Sequence, residues 1–311
     1  MQRQLRSDKT KKPLQTKPFD YQYLDLYQVQ PTISNFKHMK KLSYISFLLI
    51  LIAFTSCEKV IDVNLQNGEP RLVIEASINW FADTDGSEQR IKLSTTTDYF
   101  SNTIPAVSGA TVYITNSSAQ VFTFVEEETA GIYKCYDFVP VVNETYTLTV
   151  IHEGETYTSI EKLLNTPVIS RVEQKNDGGF IGEDIEVKFF FDDLENETNH
   201  YFLKIEDPYK VIPEYGVLED KFFENNEMFG LYFSEDLKAD DTLKCTLNGV
   251  TLNYYNYMNI LLAQTGTNSA GPFSTPTSTV RGNIVNQTNF DNFALGYFRL
   301  SKTEVKEYVI Q

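Results

Sequence analysis

Thr145-Tyr146-Thr147-Leu148-Thr149-Val150-Ile151 puts Tyr146, Leu148 and Val150 on one side of an extended chain and three threonines on the other. Period-two alternation of this kind is a strand with one buried and one wet face. Glu153-Gly154 then turns the chain into a second strand, Thr156–Ile160. The same grammar extends towards the N-terminus. Arg71–Trp80 is an apolar strand, Asp83–Ser87 with Gly86 a turn, and Gln89–Thr95 alternates around Ile91 and Leu93. Gly109–Thr115 places Ala110, Val112 and Ile114 on one face. Asn116–Ser118 is a turn before Val121–Val125, and Gly131–Cys135 is the next strand. Short strands separated by turn signals every ~8–12 residues are the pattern of an immunoglobulin-like or prealbumin-like β-sandwich. That domain is expected over residues 71–166.

Pro167 marks the expected boundary to a second β-rich domain, residues 167–311. Its strands are Asp184–Phe191, with Ile185, Val187, Phe189 and Phe191 on one face, then Tyr201–Glu206, Phe229–Phe233 and Thr242–Leu247. Leu252–Gln264 breaks the pattern. Tyr254, Tyr257, Met258, Leu261 and Leu262 recur at spacings of three and four, which predicts an amphipathic helix stopped by Gly266. Thr265–Thr279 reads as a loop and Phe293–Leu300 as a closing strand. Ser301–Ile310 fits either a strand or a helix opened by a Ser301/Glu304 capping box.

Ahead of these domains, Met39-Lys40-Lys41, an apolar run from Leu42 to Phe54, and Thr55-Ser56-Cys57 form a lipoprotein signal. The run is shorter than the ~20 apolar residues that span a bilayer. Cys57 is the lipidation site: its thiol is acylated and the chain is cut before it. Phe54 stands where Leu is usual. Residues 1–38 are polar and basic, and they read as an extension upstream of the true start at Met39, residues 39–56 being the signal; a cytoplasmic tail is the alternative. Residues 57–70 are the lipidated tether.

Nine of the 27 basic residues and three of the 42 acidic ones precede Cys57, leaving 18 against 39, a net charge near −21. Such acidity excludes nucleic acid, which is held by cations on phosphates, and excludes electrostatic docking on anionic lipid. Membrane attachment therefore falls to the acyl chains. Cys135 and Cys245 lie far apart in sequence, and two small buried residues suit them better than a disulfide.

Chemistry-bearing clusters are few. His152 sits at a hairpin end and His200 before a strand, and neither belongs to a nucleophile elbow, a zinc motif or a phosphate loop. Asp192, Asp193, Glu195 and Glu197 form the densest acidic cluster, a candidate for a structural calcium ion, although their spacing matches no EF-hand loop and a solvated loop explains them as well. Asp83, Asp85 and Glu88 are a second such group. Tyr254, Tyr255 and Tyr257 are candidates for stacking on a sugar or peptide, against the plainer reading of a helix core. Asp241-Thr242-Leu243 matches a short O-glycosylation pattern. No catalytic residue, metal site or cofactor is assigned.

Pro272-Phe273-Ser274, Val280-Arg281-Gly282-Asn283-Ile284 and Ala294-Leu295-Gly296-Tyr297-Phe298, in that order, resemble the closing signature of domain-of-unknown-function family 4249. The earlier part is similar too: a lipobox cysteine, an acidic stretch, a strand like Leu72–Ile78, Ser108–Ile114, Gly131-Ile132-Tyr133 and Tyr146–Val150. The resemblance implies a lipid-anchored outer-membrane protein of the Bacteroidota type, associated with TonB-dependent SusC-like transporters, and it brings no catalytic residues. The expected function is a non-enzymatic accessory or ligand-binding partner of such a transporter, facing the periplasm or the cell exterior. A surface adhesin or spacer module and an extracellular glycan hydrolase are the alternatives.

Overall fold

A computed structural model describes residues 68–98, 101–179, 181–194, 198–221, 227–265 and 279–311, together with Tyr44. Cys57, Gly266, the 272–274 motif, Glu195 and Glu197 lie outside the described residues. Residues 66–311 form one compact unit.

Its first half contains β1 (Leu72–Phe81), β2 (Gln89–Thr95), β3 (Thr111–Asn116), β4 (Val121–Glu126), β5 (Ile132–Cys135), β6 (Thr145–His152) and β7 (Glu155–Leu164). The alternation read from the sequence is realised: Tyr146, Leu148 and Val150 are buried with Ile74, Ile91, Ile114 and Phe122 in one core. The expected sandwich, however, is not what these strands form. β15 (Leu295–Val309), the last strand of the chain, pairs in parallel with β1 and, at Leu300–Ser301, with β7. The order β15-β1-β2-β5-β4-β3-β6-β7 therefore returns to β15, and eight strands close into a barrel-like ring. β1 and the end of β7 would otherwise be open edges with unpaired backbone groups, and the inserted strand pairs with both.

Pro167 lies where the chain leaves the ring. Next come β8 (Ile169–Gly178), β9 (Asp184–Asp192), β10 (His200–Glu206), β11 (Glu214–Glu219), β12 (Glu227–Ser234), β13 (Thr242–Val250), α1 (Leu252–Gln264) and β14 (Val285–Asn286). One sheet runs β11-β10-β13-β15 and a second runs β12-β9-β8. The two face each other over Val187, Phe189, Phe191, Tyr201, Leu203, Tyr232 and Leu247. Of Ser301–Ile310, the residues through Val309 are strand and not a capped helix, because Thr303–Val309 pair with β13.

The predicted helix forms over the expected residues. Thr251 caps it, its Oγ1 accepting the Tyr254 amide at 3.3 Å. Tyr254, Met258 and Leu262, spaced by four, pack on Phe202, Val250 and Tyr297. They cover the face of the β11-β10-β13-β15 sheet opposite the β12-β9-β8 layer. Buried Arg299 lies beneath this helix, its guanidinium 5.5 Å and 5.7 Å from the Tyr254 and Phe202 ring centres and 3.4 Å from Asn248 Oδ1.

Candidate functional site

The ring has one seam where its strands part. β7 pairs with β15 at Leu163–Leu164 and with β14 at Tyr157–Thr158, and Glu161 lies between those two pairings. The segment Val280–Ile284 covers the gap. Gly282 lies so close to the β15 backbone that a Cβ there would overlap the Gly296 carbonyl oxygen. Gly296 itself sits at φ +93°, and a Cβ on it would stand 2.1 Å from the Ile74 oxygen of β1. Both positions require glycine because three backbones stack there.

Asn283 fastens the layer. Its Nδ2 donates to the Phe298 carbonyl at 2.8 Å, its Oδ1 accepts the Phe298 amide at 2.9 Å, and Nδ2 also reaches Glu161 Oε1 at 2.9 Å. One side chain thus supplies the hydrogen bonds a neighbouring strand would have made. Arg281 lies over the Phe293 ring at 3.6 Å and Arg71 at 3.8 Å, so two cations flank one aromatic face system. Arg71 also donates to the Asp291 carbonyl at 3.2 Å, tying the segment to the start of β1.

A cleft of about 380 Å3 opens over this seam, with Tyr257, Tyr297, Asn253, Arg281 and Asn283 in its lining. The two tyrosine rings lie 4.9 Å apart at 48°. Burial raises the Tyr257 hydroxyl pKa to about 12, so it stays a neutral donor at neutral pH. Burial also raises the Glu161 carboxyl above its ordinary range, against the lowering effect of its bonds from Asn283 and Tyr297. Rings, amides and a guanidinium on one small surface suit a polar ligand with an apolar face. No carboxylate is among the described residues lining the cleft; Glu161 lies behind it, hydrogen-bonded to Asn283 Nδ2.

Of the three tyrosines offered by the sequence as platforms, Tyr257 lines the cleft. Tyr254 is buried on the inner face of the helix, and Tyr255 packs on the His200 ring at 4.9 Å. The acidic candidates lie elsewhere. Asp192 ends β9 opposite Glu227, and Asp193 Oδ1 accepts the Tyr201 hydroxyl at 2.7 Å, which fixes it to the core. Among the described residues, no three His, Cys, Asp or Glu side chains come together to hold a metal ion. Asp85 accepts from Ser87, an ordinary turn contact. A larger cleft, about 770 Å3, lies on the outer face of β1 and β2, but its Lys92 and Lys134 already pair with Glu75 and Glu88. Cys135 and Cys245 are both free and buried, each thiol pushed up to about 12 by burial.

The other quoted motifs also fold together. Glu126 accepts the Gly109 amide at 2.9 Å and the Gly131 amide at 3.0 Å. Tyr133 donates to the Val107 carbonyl and accepts the Ala110 amide, both at 3.0 Å. Tyr146 does the same for Val139 and Val141 at 2.9 Å. The motifs are joints of the ring, and the seam joint opens onto a cleft. Glu161 was invisible as part of it, since Glu161-Lys162 alone carries no pattern.

The family model for a domain of unknown function (DUF4249) matches residues 58–307. The chain belongs to the DUF4249 family. No curated protein matches it. Among solved structures, this DUF4249 chain is similar to a cytokine receptor complex at 6% identity and a TM-score of 0.23, covering 57% of this chain and 82% of that one. It is also similar to a two-domain fibronectin type-III segment from chicken tenascin, at 7% identity and a TM-score of 0.20, over 58% and 90% of the two chains. A DUF4785 family protein from Legionella pneumophila matches at 10% and 0.24, over 60% and 54%. At these scores the likenesses carry no argument about the site.

Proposed function

We propose that this DUF4249 protein is a lipid-anchored, non-enzymatic outer-membrane protein that binds a small polar ligand at the seam cleft as the accessory partner of a TonB-dependent transporter. The observation that carries the binding part is the cleft itself, where Tyr257, Tyr297, Asn253 and Arg281 meet over a rigid joint. Support for the anchor is the basic, apolar and small-residue run that ends at Cys57, next to the first residue of the family match. The strong negative charge supports attachment through acyl chains instead of through surface cations.

Two measurements test this. Labelling cells with a clickable palmitate analogue should mark the wild type and not Cys57→Ala. Mild solubilisation and capture of the tagged protein should recover a TonB-dependent transporter, and recovery should survive Arg281→Ala, a substitution in the lining of the ligand cleft. An unlabelled wild type, or capture of the chain alone, rejects the anchor or the partnership respectively.

A further inference from the structure

The two sheets of the second half end on the same side, β11 closing one and β12 the other. Between these edges lies an apolar slot of about 330 Å3, floored by Leu203, Ile205, Leu218 and Met228. Gly216 and Gly230 face it from the two edge strands. A Cβ on Gly230 would strike Leu203 Cδ2 at 2.2 Å, so the layers touch there. A Cβ on Gly216 would meet nothing within 4 Å. Gly216 pairs with Leu203 and therefore points into the space between the sheets, where it leaves out a side chain.

β11 reads Glu-Tyr-Gly-Val-Leu-Glu, and none of its residues is fully buried. Among the described residues only β10 pairs with it, so the other row of its backbone donors and acceptors faces outwards. Glu214 and Glu219 stand at its two ends, near Lys210 (3.5 Å) and His200 (3.7 Å), and no basic residue is among the described residues lining the slot.

We propose that this slot receives an extended polypeptide segment of a partner, which pairs along β11 and drops an apolar side chain into the space that Gly216 leaves. The free backbone row selects polypeptide, because only a strand answers alternate donors and acceptors over a run of ~20 Å. The slot selects an apolar residue at the central inward position. Glu214 has only a 3.5 Å contact to the exposed Lys210, and Glu219 faces an imidazole in place of a fixed cation, so both ends still favour Lys or Arg beside the apolar core. This site shares no lining residue with the seam cleft, and it requires neither the lipid anchor nor ligand binding at that cleft.

The probe is a synthetic peptide, acetyl-Lys-Thr-Val-Thr-Ile-Thr-Lys-amide, with a Glu-flanked version as its control. Binding to the full chain is followed by fluorescence anisotropy, and the contact is located by amide hydrogen exchange. The Lys-flanked peptide should protect the Tyr215–Leu218 amides and bind at least tenfold more tightly than the Glu-flanked one. Gly216→Leu fills the slot, so it should weaken binding at least tenfold without lowering the thermal midpoint. Should that variant misfold, Glu214→Lys/Glu219→Lys serves instead and should reverse the peptide preference. Absence of protection at millimolar peptide, unchanged binding by Gly216→Leu, or protection of the same amides by dimerisation without peptide overturns the proposal.

Discussion

Asn283 offers the sharpest test of the seam. Phe298 is fully buried, and both its backbone groups on the seam side are answered by this one side chain. Asn283→Ala strands an N–H and a C=O, each costing about 1–3 kcal/mol when left without a partner. Water entering through the cleft would relieve part of that, so a loss of about 2–4 kcal/mol is expected. With a urea slope of about 3 kcal/mol/M, the midpoint should fall by about 1 M at unchanged slope. Asn283→Asp adds a signature that simple truncation lacks. Its carboxylate still accepts the Phe298 amide but no longer donates to the Phe298 carbonyl or to Glu161, and it stands against Glu161 as a like charge. Both carboxyl pKa values then rise in the folded state. The variant's deficit should be small below the unfolded carboxyl range and grow as pH rises through the folded values. Urea titrations at pH 4.5, 6 and 7.5 measure this. A midpoint shift below ~0.2 M for Asn283→Ala, or an Asn283→Asp deficit that is flat with pH, would refute the seam argument.

Three other outcomes are expected. Gly296→Ala combines a left-handed backbone with a Cβ 2.1 Å from the Ile74 oxygen; a strained residue alone costs about 1–3 kcal/mol, so the thermal midpoint should drop by several degrees, and an unchanged midpoint would mean that β1 and β15 are not packed as described. Glu126 has its carboxyl lowered, chiefly by the Gly131 amide; its stabilisation is present above the unfolded carboxyl pKa and is lost as pH falls through the folded value, so the gap between wild type and Glu126→Gln should close on acidification, and a constant gap would deny the bond. Cys135 and Cys245, buried with thiols near 12, should resist a disulfide-exchange reagent in the native chain and react on unfolding; rapid native labelling would contradict their burial.

Local structure was largely legible in the sequence, and long-range pairing was not. The alternation of β1, β2 and β6 and the three-and-four spacing of α1 come from side-chain period, which any window of sequence displays. β8 was missed because its residues are mostly wet and its pairing with β9 is interrupted by irregularities after Ile169 and Lys175, which disturb the alternation. β11 was missed because, as an edge strand with Gly216 in its middle, it lacks a buried apolar face. Whether β1 meets a sandwich partner or β15 depends on a residue pair such as Ala76 and Phe298, which no local pattern joins. The seam shows the same division. Gly282, Asn283 and Gly296 stood out as a motif, yet their use was hidden until Glu161 and Ile74 were brought beside them.

The position of β15 also sets a timetable. β1 begins at residue 72 and the strand that pairs with it begins at residue 295. A chain emerging at ~5–20 residues per second presents the first of these roughly 10–45 s before the second. Throughout that interval the first half holds two bare strand edges and an open core. Its ring closes through contacts of the longest range the fold contains, a geometry that makes folding slow. The first half therefore cannot complete its ring until the last strand has emerged, and losing that strand would undo the first half as surely as the second.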